Sequence, residues 1–289
     1  MTATTEAPQV SVLHAPTEFA RIERSALATW WSDTCVFASR NIEHIRQIPE
    51  KLLDVTLQPL MFVLLFAYVF GGAIAVQGGN YREYIIAGIL VQSLAFGLTG
   101  PATAISGDLT EGVIDRFRSL PATRTAYLSG HYLAELAGMC VSIVVLLTAG
   151  FVVGWRVHTD VFHVALALVL LLTFASAMIW VGTWIGLKVR STDAVMGVGF
   201  TVVFPLTFLS SAFVPIDTLP TVLQWFAIWN PISVMTAAIR ELFGNPIAPV
   251  TRHSWPMDHA ILSAFLYCGV VLAIAVTASL RRYRVRTSD

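Results

Sequence analysis

His131 and Glu135 stand four residues apart, about one helical turn, beside a long apolar stretch. A histidine and a carboxylate at this spacing could pass a proton, form a gate or hold a polar group of a substrate. The competing reading is a pair at a membrane edge whose tips reach toward headgroup level, and the position near a span end favours it. His158 and His163 are five apart, a spacing that suits no common metal site. The sequence contains no GxxxxGK(S/T), GxSxG or HExxH, so no nucleotide, hydrolase or zinc-protease motif presents itself. Cys35, Cys140 and Cys268 are an odd set, with the last two inside apolar runs, and fit neither a disulfide framework nor a zinc pattern.

EGVIDRFRSLP, Glu111 to Pro121, carries two acids and two arginines within eight residues between two apolar regions. Glu111, Asp115 and Arg118 fall near one helical face, and Val113, Ile114, Phe117 and Leu120 supply apolar contact. Pro121 ends the helix, because a proline disfavours helical geometry in the residue before it. A short helix with mixed charge and one bulky aromatic suits docking in a cleft of another protein. On residue types alone, a solvated linker is the plainer reading.

These groups are carried by an oily frame. Of 289 residues 56% are hydrophobic and 12% charged, against roughly 25% charged in a soluble domain. No Asp, Glu, Lys or Arg occurs in 55–81, 84–107, 136–155, 161–187, 194–216, 218–239 or 259–280. A crossing needs about 20 mostly apolar residues, so the chain reads as an all-α integral membrane protein. Six transmembrane helices are expected at about 53–71, 84–105, 132–154, 162–186, 195–214 and 259–280, within a membrane domain of 53–286. The run 218–239 is broken by Pro220, Gln224, Asn230 and Pro231. Backbone broken in this way survives at membrane depth only under cover of protein or water. It is expected to be a re-entrant hairpin on the outer side, before the last span.

Six spans put both termini on one side. Residues 1–51, the 106–130 and 187–194 connections and the C-terminus carry 14 of the 18 Lys and Arg. By the positive-inside rule these are cytoplasmic in a plasma membrane. Residues 1–32 read as a disordered cytoplasmic tail without signal-peptide character. Residues 33–52 read as an interfacial helix, with Arg40, Arg46 and Lys51 toward headgroups and Pro49 turning the chain into the membrane. The formal net charge is zero, and nothing in its distribution points to nucleic acid.

Aromatic residues follow the span ends. Trp155, Trp180, Trp184, Trp225, Trp229 and Trp255 read mainly as interfacial anchors. Trp225 and Trp229, one turn apart, could instead line an exit for an amphiphile. Phe62, Phe66 and Phe70 repeat every four residues, a stripe facing lipid, a partner subunit or a lipid substrate. Gly197, Gly199 and Pro205 read as close helix packing in the fifth span.

The segment EGVIDRFRSLPATR, placed between the second and third spans, resembles the coupling segment of type 2 ABC exporter permeases. RNIEHIRQIPEKLLDVTLQPLMFVLLFAYVFGG resembles that family's interfacial helix running into its first span. AFVPIDTLPTVLQWFAIWNPISVMTAAIRELF resembles its C-terminal signature, P…LP…NP…R. The likeness covers nearly everything from Arg40 to Arg281. It is nearest to the actinobacterial daunorubicin/doxorubicin-resistance permeases, whose relatives are associated with export of the lipid phthiocerol dimycocerosate. One departure is that the extra charge often found after the Glu-Gly pair is missing here.

The resemblance implies a membrane permease without catalytic activity, exporting an anthracycline-like drug or a complex lipid. It implies a homodimer with two copies of a separate ATPase that uses ATP and Mg, and no cofactor on this chain. Glu111, Gly112, Asp115, Arg116, Phe117 and Arg118 would then make the coupling contact. His131, Glu135, Phe62, Phe66, Trp225 and Trp229 are the candidate path or gate. The alternatives are a membrane scaffold and a lipid-modifying protein without transport.

Overall fold

The computed structural model describes residues 30–36, 38–39, 49–71, 79–112, 126–189, 191–248 and 250–286. Among these there are helices and turns and no strand. Residues 30–36 and 38–39 are helical. Helix α1, Pro49–Leu64, continues as a π-helical segment, Leu65–Phe70. Pro49 is the first residue of α1, where its missing N–H costs no hydrogen bond.

Helix α2, Tyr81–Phe96, is followed after a break at Gly97 and Leu98 by α3, Thr99–Thr110. The Asn80 side chain caps α2 by accepting from the Arg82 N–H at 3.0 Å, satisfying a donor that the first turn leaves open. Helices α4, Ala126–Val153, and α5, Val161–Lys188, are the long central rods. Next come α6, Thr192–Val198, a π segment, Gly199–Val203, and α7, Phe204–Phe208. Pro205 removes a backbone donor one turn after the π segment begins, and such insertions relax the ladder there. A single 3-10 turn, Ile216–Thr218, leads to α8, Thr221–Trp229, and α9, Pro231–Phe243. The short α10, Trp255–Asp258, precedes α11, Ala260–Arg286.

Four of these are long and apolar enough to cross a membrane: Tyr81–Thr110 taken through its break, Ala126–Val153, Val161–Lys188 and Ala260–Tyr283. They coincide with four of the six expected spans. The expected first and fifth spans fall on the shorter apolar helices Leu57–Phe70 and Thr192–Phe208. The fifth ends earlier than its apolar run, because residues 209–215 leave helical geometry. Helices α8 and α9 are bent by 68° at Asn230.

Packing centres on α5, along which α3 and α11 lie, with α4 and α9 also against it. Helix α1 packs on α4, and α9 on α2 and α11. The contact of α3 with α5 is made close by Gly182, where a Cβ would stand 2.1 Å from the Leu98 carbonyl oxygen. Small residues allow this approach where no water-driven force pulls helices together. Gly199 lies near Thr99, as close packing predicts, whereas Gly197 has open space.

Candidate functional site

The signature residues converge where the fifth apolar helix stops. After Phe208 the backbone carbonyls of 209–213 point away from any helical ladder, and each must find a donor inside the protein. Asn230 serves one of them and one carbonyl of α7 itself, its Nδ2 donating to Leu209 (2.9 Å) and Leu206 (2.7 Å). Its Oδ1 accepts from the Ile232 N–H, so the same side chain caps α9. Tyr84 Oη donates to the Ser211 carbonyl at 2.8 Å and Tyr81 Oη to that of Phe213 at 3.0 Å. Arg240 completes the cage. It is 2% exposed, with Nε donating to the Tyr84 carbonyl (3.0 Å) and Nη2 to those of Ser211 (2.9 Å) and Ala212 (3.1 Å).

No carboxylate balances Arg240 in any ion pair among the described residues. Its charge rests on carbonyl dipoles and on the face of the Tyr84 ring, 3.4 Å from the guanidinium carbon. A planar fork with five donors can serve several carbonyls at once, which an ammonium cannot. Arg240 is thus a buried clamp and not a loop charge. The arginine that closes NP…R was the available signal. Gly88 lets α2 reach the cage, since a Cβ there would lie 2.0 Å from the Ala212 oxygen.

The α8–α9 pair is tied at both mouths. The Asp217 carboxylate accepts from Thr251 N–H and Oγ1, at 3.0 and 2.9 Å, so the chain leaves and returns at one level. The far end of α9 meets the 154–160 turn. The Phe243 carbonyl accepts from His158 N–H, and Asn245 bridges Trp155 Nε1 (2.7 Å) and the Arg156 carbonyl (2.9 Å). Trp155, expected as an interfacial anchor, is therefore buried, because its indole N–H has a partner inside.

His158 pairs with Glu83 at 3.0 Å and His163 with Asp160. The hydrogen bond from His163 holds the Asp160 carboxyl below its ordinary value. No group of three or more metal-ligating side chains occurs among the described residues.

His131 and Glu135 sit at the opposite end of the molecule, near the start of α4. His131 is 5% exposed, so it is not a side chain reaching for headgroups. Its Nε2 lies 3.9 Å from Glu135 Oε1, and its ring stacks on Tyr127. Tyr127 donates to Asp108 Oδ2 at 2.6 Å and also stacks on Tyr283. The outcome is a ladder from Asp108 through Tyr127 and His131 to Glu135. Sequence spacing gave the last two; Asp108 and Tyr127 lie on separate helices and carried no pattern.

Asp108 and Tyr127 flank the charged segment on either side. Glu111 and Gly112 follow α3 directly, with Glu111 N–H donating to the Gly107 carbonyl. Asp115, Arg116, Phe117 and Arg118 lie outside the described residues.

Phe62 and Phe66 join a run of stacked rings that crosses from α1 to α7. Phe66 stacks on Phe62, Phe70 and Phe213, and Phe213 on Phe208, which meets Phe204. Trp225 and Trp229 are 56% and 53% exposed on α8 and take no part in it. The six candidate path residues thus form three separate groups.

The sequence pattern of ABC-2 type transporters matches residues 32–243. The chain belongs to this family. This ABC-2 chain is 32% identical over 220 residues to the daunorubicin resistance ABC transporter permease protein of Streptomyces coeruleorubidus, covering 76% of this chain and 78% of the relative. It is 24% identical over 240 residues to the doxorubicin resistance ABC transporter permease protein of Mycobacterium tuberculosis, covering 80% and 83%. An inner membrane transport permease of Escherichia coli is 25% identical over 243 residues, covering 83% and 93%. The ABC-2 chain is a multi-pass membrane transport subunit that works with a separate ABC ATPase, and it is not itself an enzyme.

Proposed function

We propose that this ABC-2 permease exports a hydrophobic, anthracycline-like drug, a complex lipid of the phthiocerol dimycocerosate type, or both. The observation that carries the drug reading is the 32% identity, over most of both chains, to a daunorubicin resistance permease. The lipid reading is supported by the half-buried rings of Phe62 in α1, Phe66 in the π segment after it and Phe208 in α7, an uncharged row stacked around the buried Phe213.

In this reading the chain crosses six times, with both termini cytoplasmic, and α8–α9 is a re-entrant hairpin opening outward. The Lys and Arg distribution and the Asp217–Thr251 bond support that arrangement. Two copies of the permease pair with two copies of the ATPase, which binds ATP and Mg. Glu111, Gly112, Asp115, Arg116, Phe117 and Arg118 make the coupling contact. Motion there reaches the membrane through α3 and α4, whose ends are joined by the Tyr127–Asp108 hydrogen bond.

The deciding experiment reconstitutes the permease with its ATPase in liposomes and measures ATP-dependent movement of daunorubicin and of a labelled long-chain lipid. Transport of either substrate supports the exporter reading. Intact complexes that hydrolyse ATP yet move neither would favour a scaffold.

A further inference from the structure

We propose that α8 is a lipid-binding helix of the outer leaflet, with Arg252 holding the phosphate of an anionic phospholipid above an apolar face. The proposal rests on the outward-opening reading of the hairpin.

The face is built by Val222, Trp225, Phe226 and Trp229, all exposed and spaced three, one and three residues apart. That spacing puts them on one side of the helix. The opposite side is already occupied: Ala227 and Ile228 are buried with Ile216 in a small core of their own. Gln224, the one amide on α8, is turned back to donate to the carbonyls of Leu219 (2.9 Å) and Asp217 (3.3 Å). The bare side therefore presents two indoles, a phenyl ring and a valine.

At the rim of this face the Arg252 guanidinium lies 5.7 Å from the centre of the Trp225 ring. None of the ion pairs among the described residues includes Arg252. Asp217, the acid bonded to the neighbouring Thr251, is engaged there. Apolar rings, then an indole, then a cation reproduce the order in which acyl chain, glycerol level and phosphate follow one another in a leaflet. Guanidinium N–H edges left open beside an indole fit phosphate oxygens, and a lone cation favours a headgroup with net negative charge.

A second protein is a poorer occupant. Helix α8 has 9 residues and is roughly 14 Å long, whereas a stable protein interface takes about 800 Å² from each partner.

The test uses the full chain in liposomes, with Cys35, Cys140 and Cys268 replaced by alanine and spin labels at Val222→Cys, Phe226→Cys or Thr251→Cys. Oxygen should out-compete a water-soluble nickel chelate at positions 222 and 226, and chelate added outside should reach position 251. Chelate dominating at 222 and 226, or neither reagent reaching them, would overturn the lipid-facing assignment even with position 251 outside. Chelate reaching position 251 solely from the cytoplasmic side would overturn the hairpin reading as well. Separately, binding of fluorescent phosphatidylglycerol to the purified chain should weaken about fivefold in Arg252→Gln, the upper range for a solvent-touched ion pair. Phosphatidylcholine, whose phosphate charge is offset by its own choline, should lose less than phosphatidylglycerol. Equal phosphatidylglycerol binding by Arg252→Gln and the unmutated chain would overturn the phosphate site.

Discussion

Arg240 donates from Nε to the carbonyl of Tyr84 while its guanidinium lies flat over the ring of that same residue. One residue of α2 thus supplies both the acceptor and the aromatic face for a buried cation on α9. This double contact joins the bent α8–α9 pair to α2.

Replacing Arg240 with glutamine should cost roughly 3 kcal/mol, because carbonyls buried at the end of α7 lose their donors. Lysine should rescue little, since a single ammonium cannot span the Tyr84, Ser211 and Ala212 oxygens. Thermal unfolding of the purified protein, followed by size-exclusion chromatography, reads the effect. Lysine at wild-type stability would remove the fork argument.

Gly88→Ala tests the same cage from the other side. A Cβ 2.0 Å from the Ala212 oxygen cannot be absorbed by a side-chain rotation, because the obstacle is backbone. We expect a loss of about 2 kcal/mol or more, seen as lower yield of monodisperse protein. Gly138→Ala, which meets nothing within 4 Å, is the matched control.

Tyr127→Phe removes the hydroxyl that joins the two helices flanking the charged segment. The expected stability loss is about 1 kcal/mol. ATPase activity in the reconstituted complex should become less responsive to substrate. Unchanged stimulation would mean that Tyr127 and Asp108 are structural alone.

Orientation is tested by cysteines at Thr123 and His253 in a background without native cysteines. A reagent that cannot cross the membrane should label position 253 in intact cells and position 123 only after lysis. Labelling of position 123 from outside would overturn the topology and the docking argument together.

For the coupling contact, Phe117→Ala should weaken ATPase binding at least tenfold if the ring fills a pocket. Asp115→Arg should impair assembly without affecting insertion, because like or unlike charge selects the partner. Co-purification of the ATPase with each variant measures both. Normal binding by both variants would make the segment a solvated linker.

The spans were legible because membrane crossing imposes a long unbroken apolar run, and α4, α5 and α11 each provide one. The break in the fifth run was hidden: residues 209–215 carry no charge, and the donors that let the ladder stop there, Tyr81, Tyr84, Asn230 and Arg240, are distant in sequence. Pro231 and Asn230 did announce the bend between α8 and α9, since proline fits the first position of a new helix. Burial of Trp155 was not legible, because its partner Asn245 follows 90 residues later. His131 and Glu135 were found by their one-turn spacing. The Asp108 and Tyr127 rungs were not, as contacts between helices leave no local period.

Every acceptor of Arg240 is a main-chain oxygen. The clamp therefore takes no notice of which side chains stand at positions 211 and 212, as long as their peptide groups keep their places. Both positions are buried, so what limits their side chains is the packing around them and not the clamp itself. Such an arrangement lets the interior around the break be repacked with other small side chains while the α8–α9 pair stays fastened to α2.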